Sequence, residues 1–377
     1  MNVTISRLTG FLYTKAAKPL LFLLSPDTAH SMLIGVGRQI QKIAVIRWLL
    51  HAVWAYENDT VLAQTHNGIR FKNPVGLSAG FDKNIQLPPI LKAIGFGFAE
   101  TGSITAKPTV GNARPWFQRL IHTQSLIVHA GLANQGVVAI MARLAAYPAK
   151  IFDDFVLNVS IAYTNDRTIK NDAQCIDDYI ISARQVQKNK RASMITLNIS
   201  CPNTYGGEPF TNPEKLDQLL SRIDELKLSE PVFLKMPSDL GWDEFDTMLR
   251  VASRHKVAGV TICNLTKSRD LVDPRDTTKE LIRGGLSGVP VRNLSNELIK
   301  RTYASYGKRF TIVGVGGVFT ATDAYTKIKL GASLVELITG MIFFGPQRIG
   351  QINRELAQLV QQDGYRSIHD AIGVENK

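Results

Sequence analysis

Cys201 stands between two carboxamides in the run Leu197-Asn198-Ile199-Ser200-Cys201-Pro202-Asn203-Thr204, where an apolar stretch breaks into a polar tip. A thiol in such a place can act as a general base or nucleophile once deprotonated, and the neighbouring Asn side chains can hold a planar, carbonyl-rich ligand. An isolated strand cysteine is more often an inert core residue, so the chemistry depends on what else the fold brings to it. Lys83, in Ala79-Gly80-Phe81-Asp82-Lys83-Asn84, and Lys235, closing the apolar run Val232-Phe233-Leu234, would each be costly to bury unpaired. Each points to an anionic ligand, with a side chain snorkelling to solvent as the plainer alternative. Gly314-Val315-Gly316-Gly317 and, after the next apolar run, Thr339-Gly340 would offer backbone N–H groups to a phosphate, or else only permit a tight turn.

These groups act together only if the elements carrying them end in one place. The apolar run before Cys201 reads as a buried strand stopped by Pro202, Tyr205, Gly206 and Gly207, which puts the thiol at a strand's C-terminal edge. From about residue 69 onward, short apolar runs alternate with helical stretches, the pattern of a parallel sheet. Strands are expected at 75–78, 97–100, 155–159, 195–198, 232–235, 259–262, 311–314 and 334–337. Eight strands predict an α/β fold with a closed (β/α)8 barrel, and an open, doubly wound sheet is the alternative. The glycines after the last two strands favour the barrel, whose phosphate sites commonly lie there. In a barrel the polar groups after the strands converge on one face: Lys83, Ser103, Asn198 with Cys201, Lys235, Asn264, Gly316-Gly317 and Thr339-Gly340. That convergence, more than any single residue, marks Cys201 as functional.

With 377 residues, 45% hydrophobic and 20% charged, the chain can bury one large core and carry a small appendage. Three cysteines, Cys175, Cys201 and Cys263, do not make a disulfide framework, and a reducing compartment is expected. No CxxC or His/Cys cluster suggests a metal. The formal net charge of +12 is scattered, without the long basic run or aromatic-interleaved motif that nucleic-acid recognition would need. The first 57 residues differ in character and are read as a separate helical unit, ahead of a barrel over 58–377. Their apolar runs are broken by Lys15, Lys18, Arg47 and His51 well short of the roughly 20 residues that cross a bilayer, and they lack the layout of a cleaved signal peptide. Ser25-Pro26-Asp27 looks like a helix start, so two or three short amphipathic helices are expected. Basic residues beside Trp, Phe and Leu suit a membrane interface, although such helices could instead pack on the main domain or form a dimer contact.

An ordered set of motifs from about Lys18 to Leu359 resembles the dihydroorotate dehydrogenases, specifically their membrane-associated class 2. The set comprises Ser25-Pro26-Asp27-Thr28-Ala29-His30, Gly76-Leu77-Ser78-Ala79-Gly80-Phe81-Asp82-Lys83, Gly95-Phe96-Gly97 with Thr101-Gly102-Ser103, and Asn198-Ile199-Ser200-Cys201-Pro202-Asn203-Thr204. It continues with Gly284-Gly285-Leu286-Ser287-Gly288, Gly314-Val315-Gly316-Gly317 and Gly331-Ala332-Ser333-Leu334-Val335. The resemblance implies FMN over the barrel's C-terminal face and oxidation of dihydroorotate in pyrimidine biosynthesis. A base removes the C5 proton while a hydride passes from C6 to the flavin. Cys201 matches the base. Ala79, Gly80, Lys83, Ser103, Asn198, Lys235, Cys263, Gly288, Gly317, Ile338 and Thr339 match residues lining FMN, and Lys83, Asn198, Asn203 and Asn264 match those holding the substrate. The N-terminal helices would form a tunnel through which ubiquinone or menaquinone reoxidises the flavin, with His30 and Arg119 near it. A peripheral membrane location is implied, at the cytoplasmic face of the inner membrane if the source is bacterial.

Several positions depart from the family's pattern. Cys201 stands where class 2 members usually carry Ser, as in the soluble class 1. Val128 replaces a ligand-binding Asn, Leu265 a substrate-contacting Thr, and Ile338 a Tyr near the quinone path. Ser160, Ala162 and Tyr163 stand in a usual Asn-x-Gly-Lys segment, and His129 lies where an Arg is usual. Losing two polar partners would cost on the order of 1–3 kcal/mol each on burying orotate. Three readings follow: a quinone-linked dihydroorotate dehydrogenase with a repacked pocket, an FMN oxidoreductase for a different, less polar ring, or a non-catalytic, membrane-associated flavin-binding protein. Retention of Lys83, Cys201, Asn203 and Asn264 argues against the third.

Overall fold

The computed structural model describes residues 3–169, 171–277 and 280–376. Eight parallel strands, β1 (Val75–Leu77), β2 (Phe98–Ile104), β3 (Val156–Ile161), β4 (Met194–Asn198), β5 (Val232–Lys235), β6 (Val257–Ile262), β7 (Thr311–Val315) and β8 (Leu334–Leu337), close into a barrel in chain order. All eight expected strands are present, and the barrel rather than the open sheet is what forms. The strands are short apolar runs because they are buried on both faces, by side chains inside and helices outside. Register brings the polar ends level: Asn198 lies beside Lys235 across β4 and β5, and Glu336 beside Gly76 across β8 and β1.

The N-terminal end of the barrel is sealed by Phe71, Phe98, Val156, Met194, Phe233, Val313 and Leu334. Gly76 is required there, because a Cβ at that position would lie 2.3 Å from the Phe98 ring. With that end filled, ligand access is left to the C-terminal end. An antiparallel sheet of Phe117–Leu120, Ser125–Val128 and Gly285–Leu286 stands over the latter; local alternation was too weak to announce these strands.

Among the described residues three helical rods, and then a short helical turn at Asp59–Leu62, precede the barrel. The first joins α1 (Val3–Leu12) through a π-helical turn at Tyr13–Ala17 to α2 (Lys18–Leu23); the others are α3 (Pro26–Ile40) and α4 (Ala44–Trp54). Ser25 caps α3 as its sequence suggests, accepting the Thr28 N–H at 3.1 Å with Pro26 in the first turn. Asp27 fixes α3 to the barrel mouth: its carboxylate accepts the backbone N–H groups of Trp116 and Phe117 at 3.2–3.3 Å. Among the described residues no single helix is long and apolar enough to cross a membrane; the rod Val3–Leu23 and α3 meet at 117°.

Candidate active site

One cavity opens at the C-terminal end of the barrel, and every residue singled out from the sequence as catalytic, cofactor-binding or substrate-binding lines it. Ala79, Gly80 and Lys83 reach it from the segment after β1, Ser103 from β2, Asn198, Cys201 and Asn203 from β4 and its following loop, and Lys235 from β5. Cys263 and Asn264 follow β6, Gly288 comes from the mouth sheet, Gly317 follows β7, and Ile338 and Thr339 follow β8. The same cavity continues between the N-terminal helices, where Tyr13, Phe22, His30 and Leu33 form its walls.

Lys83 is the most telling side chain. Its ammonium is buried without a hydrogen-bond partner among the described residues, 4.8 Å from the Phe117 ring centroid and 5.8 Å from that of Trp116. Burial brings it down to about 8, against the pull of Asp27 and Asp82. A buried cation with free donors is the group an anionic ligand completes. His30, wedged between Phe81 and Phe117, holds the Phe81 carbonyl at 2.9 Å; burial and Lys83 push it down to about 4, so it is neutral at physiological pH. Arg119 lies over the Phe22 ring and donates to the carbonyls of Leu21, Phe22 and Leu24, which secures the end of α2 against the mouth sheet.

The carboxamides are oriented by one another and by the backbone. Asn198 Nδ2 donates to Ser103 Oγ at 2.8 Å, and Ser103 in turn meets Ser160 Oγ at 2.8 Å. Ser160 therefore acts behind the cavity wall, not in it. Asn264 Nδ2 donates to the Ser200 carbonyl at 2.7 Å, and Asn203 Nδ2 to the Val128 carbonyl at 3.0 Å. His129 Nδ1 sits 3.3 Å from Asn203 Oδ1. It supports a carboxamide and does not itself line the cavity.

Cys201 is partly exposed at the cavity edge, yet its surroundings push the thiol up to about 11. Burial is the main cause and Glu208 adds to it; the Asn203 backbone N–H, Lys235 and Lys267 oppose it. In this conformation the group therefore rests as a thiol. Tyr163 was legible only as a departure from a motif, but its hydroxyl bonds Thr204 Oγ1 at 2.8 Å and the Gly207 carbonyl at 2.9 Å, tying down the loop that carries Cys201.

Near the ends of β7 and β8 the cavity wall is backbone. Gly316 and Gly317 have φ of +110° and +70°, and a Cβ on Gly317 would lie 2.4 Å from Arg292 Cβ, so only glycine makes this turn. Two buried acids, Glu100 in β2 and Glu336 in β8, were missed. The signal was available: each is a lone charge in an apolar run, as Lys235 is.

The sequence model of the family described as "Dihydroorotate dehydrogenase" matches residues 61–360. A relative from Mycobacterium ulcerans (strain Agy99) named dihydroorotate dehydrogenase (quinone) is 37% identical over 355 residues, covering 94% of this chain and 95% of its own. One of the same name from Haloarcula marismortui is 35% identical over 364 residues, covering 95% and 98%. The crystal structure of a ligand-free DHODH from Eimeria tenella superposes with a TM-score of 0.80 at 28% identity, covering 93% of this chain and 99% of that one. The barrel fold is shared along nearly the full length of the Eimeria structure, and the chain belongs to the dihydroorotate dehydrogenase family, in its quinone-dependent class.

Proposed function

We propose that this protein oxidises dihydroorotate to orotate on FMN and delivers the electrons to a membrane quinone, ubiquinone or menaquinone, with Cys201 as the base. The observation that carries this reading is the single cavity whose inner end holds Cys201, Lys83 and the carboxamides and whose outer end runs between apolar helices. On this reading residues 1–57 form the membrane and quinone unit and residues 58–377 the FMN-binding barrel, peripheral to the membrane.

The residues present fit FMN. The turn at Gly316-Gly317, which no larger residue could make, and the backbone at Thr339 suit its phosphate; Lys83 and Lys235 supply cations, and Ala79, Gly80, Ser103, Asn198, Cys263, Gly288 and Ile338 complete the wall. When bound, this group supplies a hydride acceptor at the substrate and an electron donor to the quinone. The chain's own residues do the rest. Asn198, Asn203 and Asn264 offer fixed amides to the substrate's carbonyl and imide edges, and Lys83 faces its negative charge. Deprotonated Cys201 takes the C5 proton, and the electron pair of that C–H bond forms the C5–C6 double bond as hydride leaves C6. The apolar walls from Tyr13, α2 and α3 keep water from the reacting ring and offer a path to a lipid-soluble acceptor.

A second reading keeps the fold and changes the substrate. Val128 and Leu265 both line the cavity with apolar side chains, which would suit a less polar ring. Anaerobic mixing of the flavoprotein with dihydroorotate separates the two. Bleaching of the flavin absorbance, reversed by a quinone, is expected; a flavin that dithionite bleaches and dihydroorotate does not would favour the other substrate.

A further inference from the structure

Three ionisable side chains lie together inside the barrel. Glu100 and Glu336 are fully buried and Lys235 nearly so. Lys235 Nζ is 3.6 Å from Glu100 Oε1 and 3.4 Å from Ser78 Oγ. None of the four carboxyl oxygens has a well-formed hydrogen bond from a donor among the described residues. Glu336, Lys235 and Ser78 all face the cavity. Two carboxylates against one ammonium would leave an uncompensated negative charge where water cannot reach it, and both acids would lack donors. One proton removes both defects, because a protonated carboxyl is itself a donor.

We propose that Glu336 holds a proton and donates it in a hydrogen bond to Glu100, leaving Glu100 as the counter-ion of Lys235 and the cluster neutral. Glu336 is thereby a positioning residue for the Lys235 ammonium, whose remaining donor is left for an anionic or carbonyl-bearing ligand in the cavity. The groups facing Glu336 are Glu100 from β2, Lys235 from β5 and Ser78 after β1. Burial first, and the Glu100 carboxyl next, drive it toward the protonated form, while Lys235 and Ser78 oppose this. Raising the pH until Glu336 ionises would add a negative charge beside Lys235 and weaken the site for an anion. Naming FMN as that ligand rests on the function proposed above; the proton itself does not.

The test uses the full-length flavoprotein and E336Q, since a Gln amide keeps the shape and offers an N–H to Glu100 without a proton to lose. At neutral pH the infrared spectrum of the parent should contain a protonated-carboxyl carbonyl band that E336Q lacks. The thermal midpoint supplies a second reading. An acid held above its unfolded value of about 4.3 keeps its proton in the fold while the unfolded chain releases it, so its contribution to stability falls as pH rises through that window. E336Q should flatten this fall. FMN dissociation constants should rise by up to tenfold per pH unit above the Glu336 titration in the parent and less steeply in E336Q. An unchanged infrared band together with unchanged pH slopes in E336Q overturns the proposal. So does an E336Q that fails to fold or to hold FMN, because the site would then need the charged form. Failure of dihydroorotate to bleach the flavin would sink the proposed function and leave this proton where the infrared band puts it.

Discussion

Leu77, Leu197 and Leu234 in the barrel are fully buried, whereas Leu20, Leu23 and Trp48 in the N-terminal helices leave 67%, 82% and 67% of their surface exposed. Side chains of similar hydrophobicity meet opposite fates because the barrel strands close on themselves and on their helices, while α1 to α4 touch the barrel along one face only. A protein rarely leaves so many large apolar residues in water without a use for them. Here they share their helices with Lys15, Lys18, Arg38 and Arg47, a composition that suits the membrane interface proposed above. The barrel carries its own solvent of side chains for the chemistry, and the helices lack part of theirs.

Substitutions can break or sharpen this contrast. The largest effect is expected at the barrel's reacting end. Cys201→Ala should slow flavin reduction by dihydroorotate by about 10²–10⁴-fold, measured by anaerobic stopped flow. In the parent the rate should climb about tenfold per pH unit from pH 6 to 9, since below a thiol value of about 11 the thiolate fraction grows tenfold per unit. A plateau near neutrality would mean that substrate binding re-tunes the thiol.

Stability comes next. Leu77→Ala should cost 2–5 kcal/mol, at roughly the usual size for a filled core, while Leu23→Ala should stay within about 0.5 kcal/mol; paired denaturant titrations compare them directly. Equal costs would show that the helices are buried as the barrel is. Placing Asp at Leu20, Leu23 and Trp48 together should lower binding to anionic lipid vesicles by about tenfold or more and slow reoxidation by a lipid-soluble quinone, with reduction by dihydroorotate unaltered. Vesicle co-sedimentation that does not change would remove the membrane from the account of these helices. The smallest effect on activity is expected from Tyr163→Phe, which deletes the ties to Thr204 and Gly207. A loss of about 1 kcal/mol is expected, read as a few-fold fall in kcat/KM with the midpoint of unfolding little changed.

Much of this organisation was legible in the chain. The eight strands were readable because a strand buried on both faces must be a short apolar run between breakers, and the barrel followed from their number. The cavity lining was readable through the same rule, since polar residues placed just after such strands share one end of a barrel. The mouth sheet was not, because Phe117–Leu120 and Ser125–Val128 are only four residues each, and the third strand that completes the sheet, Gly285–Leu286, lies far along the chain and pairs with Ser125–Val128. Glu100 and Glu336 were passed over though their setting matches that of Lys235: only their meeting inside the barrel makes them more than two isolated acids. His129 and Tyr163 read as losses of family residues, and the fold shows them bonded to Asn203 and to the Cys201 loop.

The sequence by itself determined the order of strands, the residue types at their ends and the amphipathic character of the first helices, because these depend on local pattern and on which residues are adjacent. Only the tertiary structure decided which of those residues bear on each other. It set the lone ammonium of Lys83 against aromatic faces, raised the Cys201 thiol by burying it near Glu208, and brought two buried acids and a lysine from three strands together beside the cavity. Charge, burial and hydrogen bonding are fixed by neighbours distant in the chain, and a barrel assembles those neighbours only once it closes.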